Sequence, residues 1–386
     1  MPEGLAVLKW DDELGPVVTA KAPKSLQLGL DPTTSMRVYG IATLGETEES
    51  QKPSFSALTF PDFKLAVYYG GLNMHLKGLP SMVFLVLSPD EDPDLYKDAV
   101  PEIATQIFLN SEGNKYVEMV PKLFAQVARY TQMSAEQKRA SVLHDPVRRT
   151  ILQTLMRDGT IQSSDLERII FEEVGKKVDV DIVLRPMIKM GIIATDWVEG
   201  LSSEVIYLVR AILVLRMVPD AVLRQVSSGR MPPSVADQYL DASKKYHRSY
   251  IARLRKDLAE TIWDEAASLA GLLVDFDSYS ILTNLRENVL DVDQLSAILG
   301  LEKPTLRKRL KSLEDAHIVI RLTDEDGREL VMLKSDPQVV TLYPSWLIQR
   351  TVDLYNDGDI PPRQASHYLE LLKTYYPSRK VTREVA

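Results

Sequence analysis

The sequence predicts an α+β protein in which an N-terminal five-stranded sheet with helices precedes two mainly helical modules. Three observations lead to this prediction. The first third of the chain alternates short apolar strands with helices. The rest carries helices whose apolar residues recur every three or four positions. The pattern of these later helices returns after about 130 residues, as expected of a duplicated module. We place the domains at residues 1–133, 138–272 and 273–380.

The N-terminal domain is predicted from runs of β-branched and aromatic residues bounded by turn residues. The predicted strands are 4–10, 17–21, 54–60, 63–69 and 81–87, and the predicted helices are 34–44, 92–109 and 114–130. Residues 82–87, Met-Val-Phe-Leu-Val-Leu, are continuously apolar and predict a central strand buried on both faces.

The first two strands flank the turn Trp10-Asp11-Asp12-Glu13-Leu14-Gly15-Pro16. This turn, with the order of two strands, a helix, three strands and two helices, resembles the longin-type domains and their profilin-like and roadblock-like relatives. The resemblance covers about a third of the chain and implies a non-catalytic platform for small GTPases, coat or tether subunits, or a second copy. Trp10, Leu14 and Pro16 are the candidate partner-binding residues. A small α+β domain with another task is the alternative.

The first helical module follows a polar stretch at residues 131–139, which we interpret as a domain boundary. Its predicted helices are 147–156, 163–171 and 180–190, and Pro186 should kink or shorten the third. We expect no wing after Ile193, only a turn at 197–200. The apolar run 205–218 predicts a buried helix, and further helices are predicted at 219–227, 234–255 and 258–273.

Two features of this module bear on function. Its third helix exposes Asp179 and Asp181 beside only Arg185 and Lys189, which favours a structural or partner-binding role over contact with DNA phosphates. The later helix carries a basic stretch over residues 244–256 with interleaved tyrosines. That stretch is either a phosphate contact or a solvated face stabilised by ion pairs one helical turn apart.

The second module contains helices at 278–286, 293–299 and 304–315, with the turn Gly300-Leu301 before the third. Two apolar segments, 318–322 and 330–333, then flank Asp324-Glu325-Asp326-Gly327, and an Asp-Gly pair between such segments indicates a hairpin. This order resembles a winged helix of the kind found in prokaryotic and archaeal regulators. Residues 335–337 should end the hairpin, and helices follow at 342–355, with Trp346 buried, and at 361–376.

The third helix of this module is amphipathic. Leu306, Leu310 and Leu313 share one face, and the opposite side is basic. A basic outer face is what a helix needs to enter the major groove of DNA. The candidate DNA-binding residues are Lys303, Thr305, Arg307, Lys308, Lys311 and, in the wing, Arg328. The three acids at the wing tip argue against this interpretation, because they would repel phosphates.

Matching residues support the duplication. Ile151, Leu152 and Leu155 correspond to Ile281, Leu282 and Leu285. Further along, the stretch from Gly229 through Pro232-Pro233 to Tyr239-Leu240 parallels that from Gly358 through Pro361-Pro362 to Tyr368-Leu369.

Composition excludes several classes of site. The chain has no cysteine, so disulfides and cysteine-ligated zinc cannot form. Its five histidines lack metal-ligand spacing, and no phosphate-binding glycine loop or nucleophile elbow occurs. We therefore expect no enzyme activity, cofactor or metal. No signal-peptide pattern or membrane-spanning run is apparent, so we expect a cytoplasmic protein.

Net charge is −8, with a pI near 5.4, which is unusual for a nucleic-acid binder. The acidity is concentrated in residues 1–135, which carry about −6. The sequence thus supports two hypotheses. The first is a non-enzymatic regulator whose second winged helix binds double-stranded DNA. The alternative is an adaptor of a small-GTPase or membrane-trafficking system, similar to endosomal sorting subunits, with no DNA binding. Either could form oligomers.

Overall fold

A computed structural model of the chain describes residues 2–11, 13–26, 32–42, 53–71, 76, 80–111, 114–175, 180–229 and 231–376. The chain divides into two compact units. The first comprises Met1–Met133 and Glu167–Pro186, and the second comprises Ser134–Leu166 and Met187–Ala386.

The first unit is built on a five-stranded antiparallel sheet with the strand order β2-β1-β5-β4-β3. Its strands are β1 (Gly4–Asp11), β2 (Gly15–Ala22), β3 (Ser54–Thr59), β4 (Lys64–Tyr69) and β5 (Ser81–Leu87). Its helices include α1 (Pro32–Ala42), α2 (Ala99–Leu109) and α3 (Lys115–Ala128).

Both faces of this sheet are covered. Val83 and Leu85 of β5 point to the face covered by α2 and α3, where Ile103 and Val120 complete one core cluster. Alternate residues such as Phe84 belong to a second cluster with residues of α1 on the other face. Every residue of β5 is buried, as its apolar run predicts. The predicted α+β class and element order are confirmed; residues 43 and 44 of the predicted first helix lie outside the described residues.

The second unit consists of helices with short sheets between them. Its first part holds α4 (Ala135–His144), α5 (Pro146–Asp158), β6 (Thr160–Gln162), β7 (Ile193–Asp196), β8 (Val205–Leu208), β9 (Ala211–Met217), α8 (Asp220–Ser227) and α9 (Pro233–Lys256). The chain also forms α6 (Ser163–Val174) and α7 (Val180–Lys189), which fall partly in the first unit.

The later part of the second unit repeats this order. It holds α10 (Leu258–Val274), α11 (Phe276–Glu287), β10 (Leu290–Asp291), α12 (Val292–Leu299), α13 (Lys303–Asp315), β11 (Val319–Thr323), β12 (Glu329–Leu333), β13 (Asp336–Leu342), α14 (Trp346–Asn356) and α15 (Pro362–Tyr375). Strands β6, β8 and β7 form one small sheet, and β10, β12 and β11 form another.

Strands β9 and β13 join the two parts of the second unit. They pair antiparallel along their whole length, from Ala211 opposite Leu342 to Met217 opposite Asp336. Val214 and Val339 face each other at the centre of this ladder. Seven consecutive residue pairs therefore tie segments that lie more than a hundred residues apart in the chain.

Two buried tyrosines connect the parts a second time. The Tyr239 hydroxyl of α9 donates to the carbonyl of Leu333 at the end of β12, at 2.8 Å. The Tyr368 hydroxyl of α15 donates to the carbonyl of Leu208 at the end of β8, at 2.7 Å. Each helix thus satisfies a buried carbonyl in the part of the unit to which it does not belong, and both tyrosines are fully buried.

A half-buried ion-pair cluster forms the third connection. Arg286 of α11 donates to both oxygens of Glu136 of α4, at 2.7 and 3.0 Å, and to Asp336 of β13 at 2.8 Å. Burial by itself would raise the pKa of Glu136. The hydrogen bonds and charge of Arg286, with the Tyr279 hydroxyl and the Val339 amide, outweigh it and hold this pKa below its ordinary value.

The prediction of a buried helix over 205–218 was wrong, because this run forms β8 and β9. Strands buried on both faces have continuous apolar sequences, which periodicity cannot separate from a buried helix. The same error concealed the β7–β8 hairpin. Ile193 pairs with Leu208 and Asp196 with Val205, so the expectation that only a turn follows Ile193 was also wrong.

The polar stretch interpreted as a domain boundary contains Met133, where the N-terminal segment of the first unit ends. Helix α4 begins just after it, with a Ser134–Gln137 capping box in its first turn. Two smaller predictions were wrong. Asp336 and Pro337 begin β13 instead of ending a hairpin, because β9 supplies a pairing partner. Trp346 starts α14 and is 39% exposed, whereas we expected it inside a longer helix and buried. The third helix of the first module continues through Pro186 to Lys189.

Within the part of the chain that the structure describes, none of the helices combines the length and the apolar character needed to cross a membrane.

We expect acid to weaken the second unit through Glu136. Because its folded pKa lies below the ordinary value of 4.5, its contribution to stability is present above the unfolded pKa and is lost as the pH falls through the folded pKa. Urea unfolding at a series of pH values should show that the free energy of unfolding decreases as the pH falls through the folded pKa of Glu136. This decrease should be smaller in Glu136→Gln, and that variant should also be less stable than the wild type at neutral pH. Parallel pH profiles for the two proteins would contradict the assignment.

Candidate nucleic-acid interface

The helix-turn-helix is formed by α12, α13 and the turn between them. A capping box of Asp291 and Gln294 starts α12, and Gly300 ends it in the left-handed region, at φ 63°. The Leu301 amide donates to the Ser296 carbonyl at 3.2 Å, and the Ser296 hydroxyl donates to the Leu301 carbonyl at 2.6 Å. These reciprocal bonds close a tight turn before α13.

Helix α13 is held by its apolar face. Leu306, Leu310 and Leu313 are fully buried, as their spacing predicts. The opposite face is exposed and includes all five candidate residues of this helix: Lys303, Thr305, Arg307, Lys308 and Lys311. Lys303, Arg307 and Lys311 recur every four residues and share one stripe, while Thr305 and Lys308 lie on the next.

Acidic neighbours pair with the cations of the first stripe. Lys303 lies 2.9 Å from Asp293, and Lys311 lies 2.9 Å from Asp315. The hydrogen bond and charge of Asp315 raise the pKa of Lys311. All four side chains are more than half exposed, so these pairs add little stability and can be exchanged for other anions.

A four-residue ion-pair network connects α13 to the wing. Arg307 donates to Glu329 of β12 at 3.1 Å. Glu329 also accepts from Arg321 of β11 at 2.8 Å. Arg321 in turn makes a two-pronged contact with Glu314 near the end of α13, at 2.7 and 2.8 Å. The network fixes the angle between the helix and the wing.

The remaining two cations of α13 differ from each other. Arg309 is oriented back toward the first turn of α11, at 3.1 Å from Asp277 and 3.4 Å from Asp275, and so it stabilises the fold. Lys308 is exposed and forms no ion pair with any residue that the structure describes. Lys308 is therefore the cation of α13 that is available to an anion without any exchange of partners.

The acidic tip of the wing is partly neutralised by Arg328 of its own turn. Asp324 is buried and accepts from the amides of Asp326 and Arg328, at 3.0 and 2.8 Å, and from Arg328 Nε at 2.8 Å. Burial tends to raise the pKa of Asp324, but these bonds and the charge of Arg328 lower it overall. The predicted DNA contact Arg328 is thus engaged with Asp324, although its side chain stays 60% exposed.

The chain leaves α13 through a residue with an uncommon backbone conformation. His317 has φ 57°, in the left-handed region that favours glycine. A histidine therefore occupies a glycine-type position just before the first wing strand. Gly191, just before β7, has φ 64°.

The geometry described so far can be compared with known protein families. Residues 280–321 match the family described as bacterial regulatory protein, arsR family. The match runs from α11 through the helix-turn-helix into β11, and it supports a winged helix in the C-terminal part of the chain, of the type found in regulators. No curated protein matches the chain.

The candidate partner-binding residues lie together at the tip of the β1–β2 hairpin. Trp10 is opposite Pro16 in the ladder, and its ring is 4.6 Å from that of Tyr39. The carboxylate of Asp11 accepts from the amides of Glu13 and Leu14, each at 3.1 Å, which shapes the turn. Leu14 is 77% exposed, so the turn presents an apolar side chain to solvent.

The charged residues predicted on the third helix of the first module are described only in part. Asp181 and Lys189 of α7 are exposed, while Asp179 lies outside the described residues. No group of three or more potential ligands in the described ranges could hold a metal ion.

We expect Asp324→Ala to loosen the wing tip. The variant removes the acceptor of three hydrogen bonds, so hydrogen exchange of the amides at 324–328 should become roughly tenfold faster or more. Asp326→Ala is the control, because Asp326 is 78% exposed and accepts a longer bond of 3.2 Å from Arg328. Equal exchange in the two variants would show that Asp324 does not organise the turn.

Proposed function

We propose that the chain is a non-enzymatic regulator whose second winged helix binds double-stranded DNA through the exposed face of α13. The observation that carries the proposal is the division of α13 into a fully buried leucine face and an exposed face with Lys308, Thr305 and three further cations. An exposed basic recognition helix supplies both phosphate and base-edge contacts in the major groove. The arsR-family match over 280–321 supports the same conclusion.

The ion pairs around α13 are compatible with this role. Exposed pairs contribute about 0–1 kcal/mol each, so a phosphate can displace Asp293 from Lys303 or Asp315 from Lys311 at small cost. We propose that Lys308 and Thr305 make the first contacts and that Lys303, Arg307 and Lys311 follow by partner exchange. Arg328 contributes only if it releases Asp324, so its role depends on the wing tip.

We also propose that residues 134–376 contain two winged-helix modules that arose by duplication. Three observations support this proposal. Strands β9 and β13 each have seven residues and each follow a hairpin. Their pairing is symmetric about Val214 and Val339, so the first residue of each strand lies opposite the last residue of the other. Asp145 and Asp275 cap corresponding helices, with carboxylates that accept the amide three residues later. Tyr239 and Tyr368, matched in the sequence, make reciprocal bonds to Leu333 and Leu208.

Such reciprocity is expected of two copies related by a local two-fold axis. The proposed boundaries remain 1–133, 138–272 and 273–380. In this arrangement the second copy contacts DNA, and the first is structural or binds a partner, because Asp181 stands on the exposed side of its third helix.

The N-terminal domain is proposed to be a longin-like platform that recruits a protein partner through Trp10, Leu14 and Pro16. The exposed Leu14 at the hairpin tip favours this role. Contact of a large apolar side chain with water is unfavourable, and a partner that covers the side chain removes that cost. The same observation supports the alternative, an adaptor for a small GTPase or a trafficking scaffold without DNA binding.

We expect the full chain to bind duplex DNA with affinity that falls steeply as salt rises. Lys308→Glu with Lys311→Glu should reduce binding by at least about a hundredfold at low salt, because two phosphate contacts become repulsions. Fluorescence anisotropy with a mixed-sequence duplex measures both effects.

The matched control for this experiment is Lys97→Glu with Lys122→Glu. It makes the same change in net charge on exposed lysines of the first unit and should leave binding within about twofold. The regulator proposal would be contradicted, and the adaptor favoured, by either of two results. The wild type would fail to bind the duplex at low salt, or both double variants would lose binding equally.

We expect Leu14→Glu to abolish recruitment of a protein partner without unfolding the domain, because the side chain is 77% exposed. Affinity purification of the wild type and the variant from cells, with mass spectrometry, compares the proteins retained. Leu109→Glu is a control on α2 of the same unit, where the side chain is 39% exposed. Identical sets of retained proteins for wild type and Leu14→Glu would exclude the hairpin tip as a docking point.

A further inference from the structure

Helix α9 presents a second basic surface in the same unit as α13. Between Asp241 and Asp257 this helix contains no acidic residue. All six Lys and Arg residues of this segment are exposed, and five of them lie away from the packed side of the helix: Lys244, Lys245, Arg248, Arg255 and Lys256. We refer to these five residues as the α9 basic face.

The α9 basic face is not neutralised by any residue that the structure describes. The sixth cation of the segment, Arg253, is half exposed and pairs with Glu265 at 3.1 Å. None of the five residues of the face forms an ion pair with any residue that the structure describes. The ion pairs one helical turn apart that a solvated mixed-charge helix would display are therefore not found in the described part of α9.

Their spacing places the five cations on one side of the helix. Lys244, Arg248 and Arg255 are four and seven residues apart and form one stripe, and Lys245 and Lys256 lie on the adjoining stripe. Val235, Tyr239, Ser243 and Tyr250 are buried on the other side. From Lys244 to Lys256 the stripe is about 18 Å long, which corresponds to about five phosphates of one DNA strand.

Direct contacts fix α9 to the second winged helix. Besides the Tyr239 bond to Leu333, His247 Nε2 donates to the carbonyl of Lys334 at 3.1 Å. The Tyr246 ring lies 5.7 Å from that of His317, which is two residues beyond α13. The Lys334 ammonium lies 5.1 Å from the centre of the Tyr246 ring. The basic face therefore starts beside the C-terminal end of α13 and moves rigidly with it.

Lys245 of α9 also interacts electrostatically with Lys334, which follows β12. Burial lowers the pKa of Lys334, and the nearby charge of Lys245 lowers it further. Cations thus continue from the base of the wing onto α9. Repulsion between such neighbours is relieved when they share a polyanion.

We propose that the α9 basic face binds the phosphate backbone of duplex DNA next to the segment contacted by α13. This inference rests on the proposed function of α13 and extends it. The face supplies sequence-independent affinity and orientation, while α13 contacts the bases. Its unpaired cations also explain how a chain of net charge −8 can attract DNA, because affinity depends on local phosphate contacts.

The test compares the salt dependence of DNA binding by full-length variants. The α9 variant carries Lys244→Gln, Arg248→Gln and Arg255→Gln, which remove charge but keep good helix formers. With a mixed-sequence duplex of about 30 base pairs, loss of three phosphate contacts should reduce the slope of log K against log salt by about 2.7 and weaken binding about tenfold or more. The control variant carries Lys97→Gln, Lys115→Gln and Lys122→Gln, exposed lysines of the first unit, and should keep the wild-type slope.

The outcomes separate this inference from the function on which it rests. If the α9 variant keeps the wild-type slope while Lys308→Glu with Lys311→Glu loses binding, the α9 inference is overturned and the regulator proposal stands. If the wild type does not bind the duplex, both are overturned. If the α9 variant loses binding to heparin or to anionic vesicles but not to the duplex, the face serves another polyanion and the inference is likewise overturned.

Discussion

The pairing of β9 with β13 is the constraint on which the second unit depends. Each strand follows a small hairpin, and neither has another described strand as partner in its sheet. Seven residue pairs, with two valines at the centre, satisfy the backbone groups that each strand directs toward the other. The Glu136–Arg286–Asp336 cluster then ties α4 and α11 to this ladder, since Asp336 belongs to β13 and the Val339 amide also donates to Glu136. Helices α9 and α15 complete the arrangement through the reciprocal bonds of Tyr239 and Tyr368.

This constraint positions the candidate interface. Helix α9 is fixed to Lys334 at the end of β12, so its unpaired cations lie in the same unit as α13, whose own cations are mostly paired. The two surfaces suit different contacts. Weak, exposed pairs on α13 can open selectively when a matching groove is present. Unpaired charges on α9 attract any phosphate backbone. In the proposed regulator, α13 would supply the specific contacts and α9 the nonspecific ones.

Much of the fold could be predicted from periodicity and local signals. The continuous apolar run of β5 and the leucine face of α13 were both predicted correctly. Each depends on neighbours within one or two turns of the chain. The apolar run at 205–218 was wrongly predicted as a helix, because its conformation depends on β13, more than a hundred residues away. Trp346 was placed wrongly for the same reason, since β13 extends the strand to Leu342 and delays the helix.

For the candidate site, the sequence by itself determined which residue types share a helix face and that the lysines of α13 lie opposite its leucines. Only the tertiary structure decided which of those charges are free. Asp293, Glu329 and Asp277 reach α13 cations from three other elements, while Lys308 and the five cations of the α9 basic face meet no described acid. The physical reason is that helical periodicity is a local property of the backbone, whereas neutralisation of a charge depends on every segment that the fold brings within about 4 Å.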